Sequence, residues 1–242
     1  MADTRLTPQT ALTPPRFAYP VSLDLAGRRA VVVGDDAVAQ GRAGALLAAG
    51  ALVTVVAEGP ATALERLEGE ARATVVRRAF APGDLDGAFL CVAASDDPEV
   101  RAAVFAEARA GGVLVNVVDD TDHCDFAAPA VVRRGDLVIA VSTGGRTPAL
   151  ASRLRRLLEE RFGPEWEELA ALLGEVREQT LPLLPDLGER SRRWRHALEL
   201  EELEALVRAG RAEQARERLL AHLVGPEPDG RTGLGAPEGV PR

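Results

Sequence analysis

The chain has 242 residues and 25.6 kDa, with 46% hydrophobic and 27% charged residues. That balance belongs to a folded chain with a sizeable core and excludes wholesale disorder. A net charge of −8 weighs against a nucleic-acid partner. All 29 basic residues are arginine, so chemistry that needs a lysine (Schiff bases, pyridoxal phosphate anchoring, a P-loop) is excluded.

Residues 1–16 are rich in Thr and Pro and read as a loose lead-in without the basic start and apolar block of a secretory signal. No run of about 18 apolar residues follows, so no membrane span or membrane partner is expected, and the expected location is the cytoplasm. From Tyr19 to Val118, short β-branched runs alternate with Ala/Leu/Arg-rich stretches. Strands are expected at Arg29–Val33, Leu52–Val56, Thr74–Arg77, Ala88–Val92 and Val113–Val118, and helices at Val38–Ala49, Thr62–Ala71 and Pro98–Ala110. Several of these strands are apolar on both faces, which requires helices on both sides of a sheet. The alternation therefore predicts an α/β fold, a Rossmann-like doubly wound parallel sheet. Gly50 and Gly111-Gly112 stand where helices should stop.

The first strand runs into Gly34, at a strand-to-helix turn where backbone N–H groups can approach a pyrophosphate. Glu58 follows the second strand, where a carboxylate accepts hydrogen bonds from ribose hydroxyls. Asp35 and Asp36 stand where glycines would serve that turn best, and both should repel the phosphates. Beyond the fifth strand, Asp119 lies at the carboxyl edge of the sheet, where α/β proteins bind ligands. A carboxylate there can accept a proton from a substrate, or simply cap a loop, as Asp120 is expected to do.

After Asp119 the pattern changes. Ala127–Arg133 and Asp136–Ser142 read as a hairpin turning at Arg134-Gly135. Its apolar face (Ala128, Ala130, Val132, Leu137, Ile139, Val141) is more than one small domain readily covers. Ser142-Thr143-Gly144-Gly145 is an anion-friendly loop before a helix that Thr147 should cap, with Pro148 in its first position. Residues 131–161 hold seven arginines against three acids, a surface suited to carboxylates or to a solvated helix face. From Thr147 to about Leu223 the chain is helical, punctuated by Pro164, Pro182, Pro185 and Gly188. Trp166 and Trp194 are expected to anchor packing. Residues 225–242, with five Gly and four Pro, read as disordered. Cys91 and Cys124 lack metal-ligand spacing, and a lone His123 beside Cys124 is a weak ligand pair. Free thiols and no metal site are expected.

Several of these pieces together resemble the precorrin-2 dehydrogenase/sirohydrochlorin ferrochelatase family, the N-terminal module of siroheme synthase. They are Tyr19-Pro20-Val21, the Val31–Ala39 turn, Ala49-Gly50-Ala51 with Thr54-Val55-Val56, and Ala93–Asp97. More specific are Asn116-Val117-Val118-Asp119-Asp120 with Cys124-Asp125-Phe126 and Pro129, and Ser142–Gly145 with Thr147–Ala151. The resemblance runs from about Tyr19 to about Ala197. It implies a homodimer with a Rossmann domain (residues 17–120), a small α+β dimerisation domain (121–160) and a helical C-terminal domain (161–224). It implies NAD-dependent oxidation of precorrin-2 to sirohydrochlorin, in some members followed by insertion of Fe2+ as a second substrate. Carried onto this sequence, Asp119 is catalytic, and Gly34, Ala37, Val38, Glu58 and Ala94 hold the cofactor. Asn116, Ser142, Thr143, Gly144, Gly145 and Arg146 hold the tetrapyrrole. The family pattern has Gly-Gly-Gly where this chain has Gly34-Asp35-Asp36. A chelatase alone, or a non-enzymatic tetrapyrrole-binding protein that has lost NAD, are the alternatives this departure leaves open.

Overall fold

The structure is a computed structural model and describes residues 16–59 and 62–225. Most of the lead-in, and the tail beyond Gly225, lie outside the described residues. The described residues divide into two compact units: those up to 129 with 142–151, and 130–141 with those from 152 on.

In the first unit, β1 (Arg29–Val33), β2 (Leu52–Ala57), β3 (Ala73–Arg77), β4 (Leu90–Ala93) and β5 (Leu114–Val117) form one sheet in the order β3-β2-β1-β4-β5. Every pairing is parallel. Because side chains alternate across a strand, β1 feeds two cores. Ala30 and Val32 pack with Val53, Val55 and Val92 under helix α1 (Ala37–Ala48). Val31 and Val33 pack with Cys91, Val115 and Val117 under helix α2 (Pro98–Gly111). Both faces of the sheet are thus buried, as the two-sided apolar runs require.

The helix signals read from the sequence hold. Asp97 caps α2 by accepting from Glu99 N–H, Pro98 opens it, and Gly112 ends it at φ 67°. Gly50 follows α1 at φ 89°, where a Cβ would press to 3.2 Å from Ala26 Cα. The segment expected as a helix over Thr62–Ala71 is instead a 3-10 helix, Thr62–Leu67. Its buried residues Leu64 and Leu67 are three apart, a spacing that the three-residue turn stacks on one side.

In the second unit, β6 (Ala130–Arg134) and β7 (Leu137–Val141) pair antiparallel around a two-residue turn at Gly135-Asp136. Val132 is buried, opposite Ile139 in the register. The hairpin packs on α4 (Glu165–Thr180), and Arg134 Nε donates to the carbonyls of Phe162 and Gly163. Helix α3 (Pro148–Arg161) precedes α4. After it come α5 (Leu187–Ala197), α6 (Leu200–Arg208) and α7 (Ala212–Val224), closing around Leu169, Val176, Leu203 and Leu219. Trp166 is in this core, edge-on to Phe162 at 4.9 Å, and Trp194 packs against it. Gly188 does not interrupt the chain as expected. Asp186 caps α5 by accepting from Glu189 N–H, which puts Gly188 in the first helical turn, where no backbone donor needs an internal partner.

Candidate active site

At the carboxyl edge of the sheet the chain turns sharply after β1. Gly34 has φ 147°, and a Cβ on it would lie 2.6 Å from the Ala94 carbonyl oxygen. The turn therefore passes directly against the end of β4, and only glycine fits. Gly34 and Glu58, far apart in sequence, line one cleft of about 110 Å³, together with Ser95. Ala94 backs Gly34, whereas Ala37 and Val38 occupy the first turn of α1 and do not line the cleft.

Arg78, which no motif or spacing placed here, also lines the cleft. Its guanidinium forks onto both oxygens of Asp84 at 2.7 and 2.6 Å. That pairing is the main reason the Asp84 carboxyl lies below the usual carboxylate range.

These residues can be tested against a dinucleotide. Glu58 is exposed and has no internal partner among the described residues, which leaves it free for ribose hydroxyls. On the phosphate side, Asp36 caps α1, its carboxylate accepting from Ala39 N–H at 2.8 Å, and Asp35 lines the cleft. The residues fit NAD at the ribose. At the pyrophosphate they impose a penalty, because one carboxylate already holds a helix N–H and the other faces the cleft.

Beyond β5, Asp119 sits at φ 60°, a left-handed conformation that costs most residues energy and that Asp tolerates better than most. Its carboxylate is exposed and makes no hydrogen bond or ion pair among the described residues. The neighbouring side chains, by contrast, are engaged. Asn116 is buried and its amide donates to the Phe126 carbonyl at 2.9 Å, so it holds the segment that follows Asp119. The Cys124 thiol accepts from Val117 N–H at 3.2 Å and lies 3.1 Å from the Asp120 carbonyl oxygen. Asp125 accepts from Val115 N–H and from Arg109. This web fastens both ends of the Asp119 turn to β5.

Asp120 caps the short 3-10 helix Thr121–His123, as expected, and also pairs with His123 Nδ1 at 2.7 Å. That hydrogen bond is the largest cause of its lowered pKa. The Asp-x-x-His spacing was the sequence signal for this pair, legible once the turn is known to be helical. Among the described residues no group of three His, Cys, Asp or Glu could hold a metal ion. Both cysteines are free thiols.

The 142–146 loop is brought against this turn. A Cβ on Gly145 would lie 2.9 Å from Thr121 Cγ2, and both Gly144 and Gly145 have positive φ. Ser142 Oγ accepts from Gly144 N–H and Thr143 Oγ1 from Thr147 N–H, each at 3.2 Å. The Thr147 carbonyl accepts from Leu150 and Ala151 at the start of α3, with Pro148 first in the helix. Arg146 is exposed. Of the basic cluster, Arg133, Arg146, Arg153 and Arg156 have no acidic partner among the described residues, while Arg155 pairs with Glu159 and Arg161 with Glu204.

Residues 21–130 match the family model described as "Putative NAD(P)-binding", and residues 134–161 match that of the "Sirohaem biosynthesis protein central" segment. Siroheme synthase 1 of Yersinia enterocolitica is 37% identical over 85% of this chain and 43% of its own length. Siroheme synthase of Azotobacter vinelandii is 37% identical over 86% and 45%. The chain thus spans less than half the length of these curated relatives. Among solved structures it matches the precorrin-2 dehydrogenase SirC with a TM-score of 0.66 and 25% identity, over 83% of this chain and 98% of that one. The first unit thus matches a putative NAD(P)-binding domain, and the chain as a whole is similar to part of the siroheme synthases and to nearly all of a precorrin-2 dehydrogenase.

Proposed function

We propose that this protein oxidises precorrin-2 to sirohydrochlorin with NAD as the acceptor, in siroheme biosynthesis. The observation that carries this reading is Asp119. It is an unpartnered, exposed carboxylate held at φ 60° one turn beyond β5, on the sheet edge that also forms the dinucleotide cleft. Non-glycine residues kept in left-handed geometry by a surrounding hydrogen-bond web concentrate at functional sites.

The oxidation removes one hydride and one proton from the tetrapyrrole. Bound NAD supplies the hydride acceptor. Glu58 holds the ribose, and the Gly34 turn lets the backbone approach the dinucleotide. Asp119 accepts the proton as the C–H bond breaks and, being exposed, returns it to water. The Ser142–Gly145 loop and Arg146 offer backbone N–H groups and a guanidinium to the carboxylates of the substrate. Incubation with precorrin-2 and NAD should produce sirohydrochlorin absorbance and NADH together, and Asp119→Asn should produce neither. Equal turnover by Asp119→Asn would refute the assignment. Adding Fe2+ once oxidation is complete tests for chelation as a second activity on the same tetrapyrrole.

The protein acts as a homodimer in the cytoplasm in this reading. Leu150, Leu154 and Leu157 form a stripe on α3 and are 48%, 38% and 43% exposed, and Val138 on the hairpin is 44% exposed. Their i, i+4, i+7 spacing is that of a helix face built to meet another surface. No helix among the described residues is long and apolar enough to cross a membrane.

A further inference from the structure

Between α2 and the Asp119 turn lies a second cavity, of about 190 Å³, which the mechanism above does not use. Arg101, Phe105, Asp120 and His123 line it. We propose that this cavity is a subsite for one carboxylate arm of the tetrapyrrole, gripped by Arg101 and His123. The proposal rests on the substrate class assigned above.

Arg101 is half-buried and spends one N–H on the Ser95 carbonyl at 3.3 Å. It has no acidic partner among the described residues, so the remaining donors of its guanidinium are unspent. His123 is held on two sides. Its Nδ1 meets Asp120 Oδ2 at 2.7 Å, and its ring stands edge-on to Phe105 at 4.6 Å and 81°. A carboxylate only accepts, so Nδ1 carries a hydrogen in either charge state, and Nε2 is the free nitrogen. Phe105 and Ala102 supply an apolar wall for a methylene stem, and Arg101 and His123 supply donors for its charged end.

The local charges give the pocket its sign. On the 3-10 helix, Asp122 is neutralised by Arg16 at 2.7 Å, and Asp120 faces His123. Asp125 is matched by Arg109, which lies over Phe105. On the first turn of α2, Asp97 is spent capping Glu99 N–H, and Glu99 is exposed. With His123 protonated, Asp120 is balanced and Arg101 remains as an uncompensated cation. With His123 neutral, Asp120 cancels Arg101.

A dinucleotide phosphate has the same anionic chemistry, and kinetics with both substrates separate the two sources. In Arg101→Met and His123→Gln, the KM for precorrin-2 should rise about tenfold, the scale of one lost charge-assisted hydrogen bond. The kcat and the KM for NAD should hold. A fluorescence titration with sirohydrochlorin should show the same weakening without turnover. A change confined to the KM for NAD would place the phosphate there and overturn the proposal. So would a fall in kcat with KM and titration unchanged, which would make His123 a base, or no change in any measurement. If the wild type binds sirohydrochlorin through Arg101 yet never reduces NAD, the subsite stands and the dehydrogenase reading falls.

Discussion

Asp35 and Asp36 are expected to weaken the binding of NAD, by an amount that Coulomb's law sets. A unit charge ~6 Å from a phosphate charge costs roughly 0.7 kcal/mol under bulk-water screening, and about 3 kcal/mol at the effective dielectric of ~20 found near protein surfaces. Both carboxylates are exposed, so the low end applies. The pair then costs about 1.4 kcal/mol, or tenfold in dissociation constant. Asp36 has a second duty, because its carboxylate caps α1 through Ala39 N–H. Removing the cap outright, as in Asp36→Ala, costs about 1 kcal/mol of stability, which lowers the melting temperature of a chain this size by roughly 2–4 °C. Asparagine keeps an oxygen acceptor in the same place and discards the charge. The double variant Asp35→Asn/Asp36→Asn is therefore expected to melt close to the wild type and to bind NAD at least about tenfold more tightly in a calorimetric titration. An unchanged dissociation constant would show that neither carboxylate faces the pyrophosphate and would refute the electrostatic reasoning.

Asp119→Gly should abolish turnover yet raise stability by up to about 1 kcal/mol, because glycine adopts φ 60° without strain; a thermal melt beside the NADH assay tests both halves. Leu154→Glu should give a monomer by light scattering, since a charge in the middle of the exposed α3 stripe cannot be buried against a second copy; a dimer of undiminished affinity would move the interface elsewhere. The Cys91 thiol, pushed up to about 12 chiefly by burial, should resist a thiol reagent at pH 8 until the protein unfolds. Cys124, raised by burial to a lesser degree, should react slowly. Rapid labelling of both in the native protein would contradict this. The depressed Asp84 carboxyl stabilises the fold at pH above the ordinary carboxylate range, and that contribution is lost as pH falls through its lowered folded value. Asp84→Asn should accordingly melt lower than the wild type at neutral pH and converge with it in acid.

The sheet was legible in the sequence because its information is local and periodic. Ala30 and Val32 alternate with Val31 and Val33, and both sets are apolar, which can only mean a strand covered on both faces. The helix start at Pro98 and the stops at Gly50 and Gly112 are likewise written in single residues whose backbone preferences travel with them, whereas the caps at Asp36 and Asp97 came to light only in the structure. Asp119 was found by its motif and by its place one step past a strand. Tertiary structure alone decided the roles that depend on partners distant in sequence. Asn116, expected at the substrate, is buried on the Phe126 carbonyl. Arg78 enters the dinucleotide cleft because β3 lies beside β2. His123, expected to hold no metal and given no other role, is oriented by Asp120 on its own turn and by Phe105 from α2. The 142–146 loop meets Thr121 because the chain returns there after the hairpin. Periodicity reports which face of an element is buried. Which charged or polar group ends up opposite another depends on strand order and loop path, and those are fixed only when the whole chain has packed.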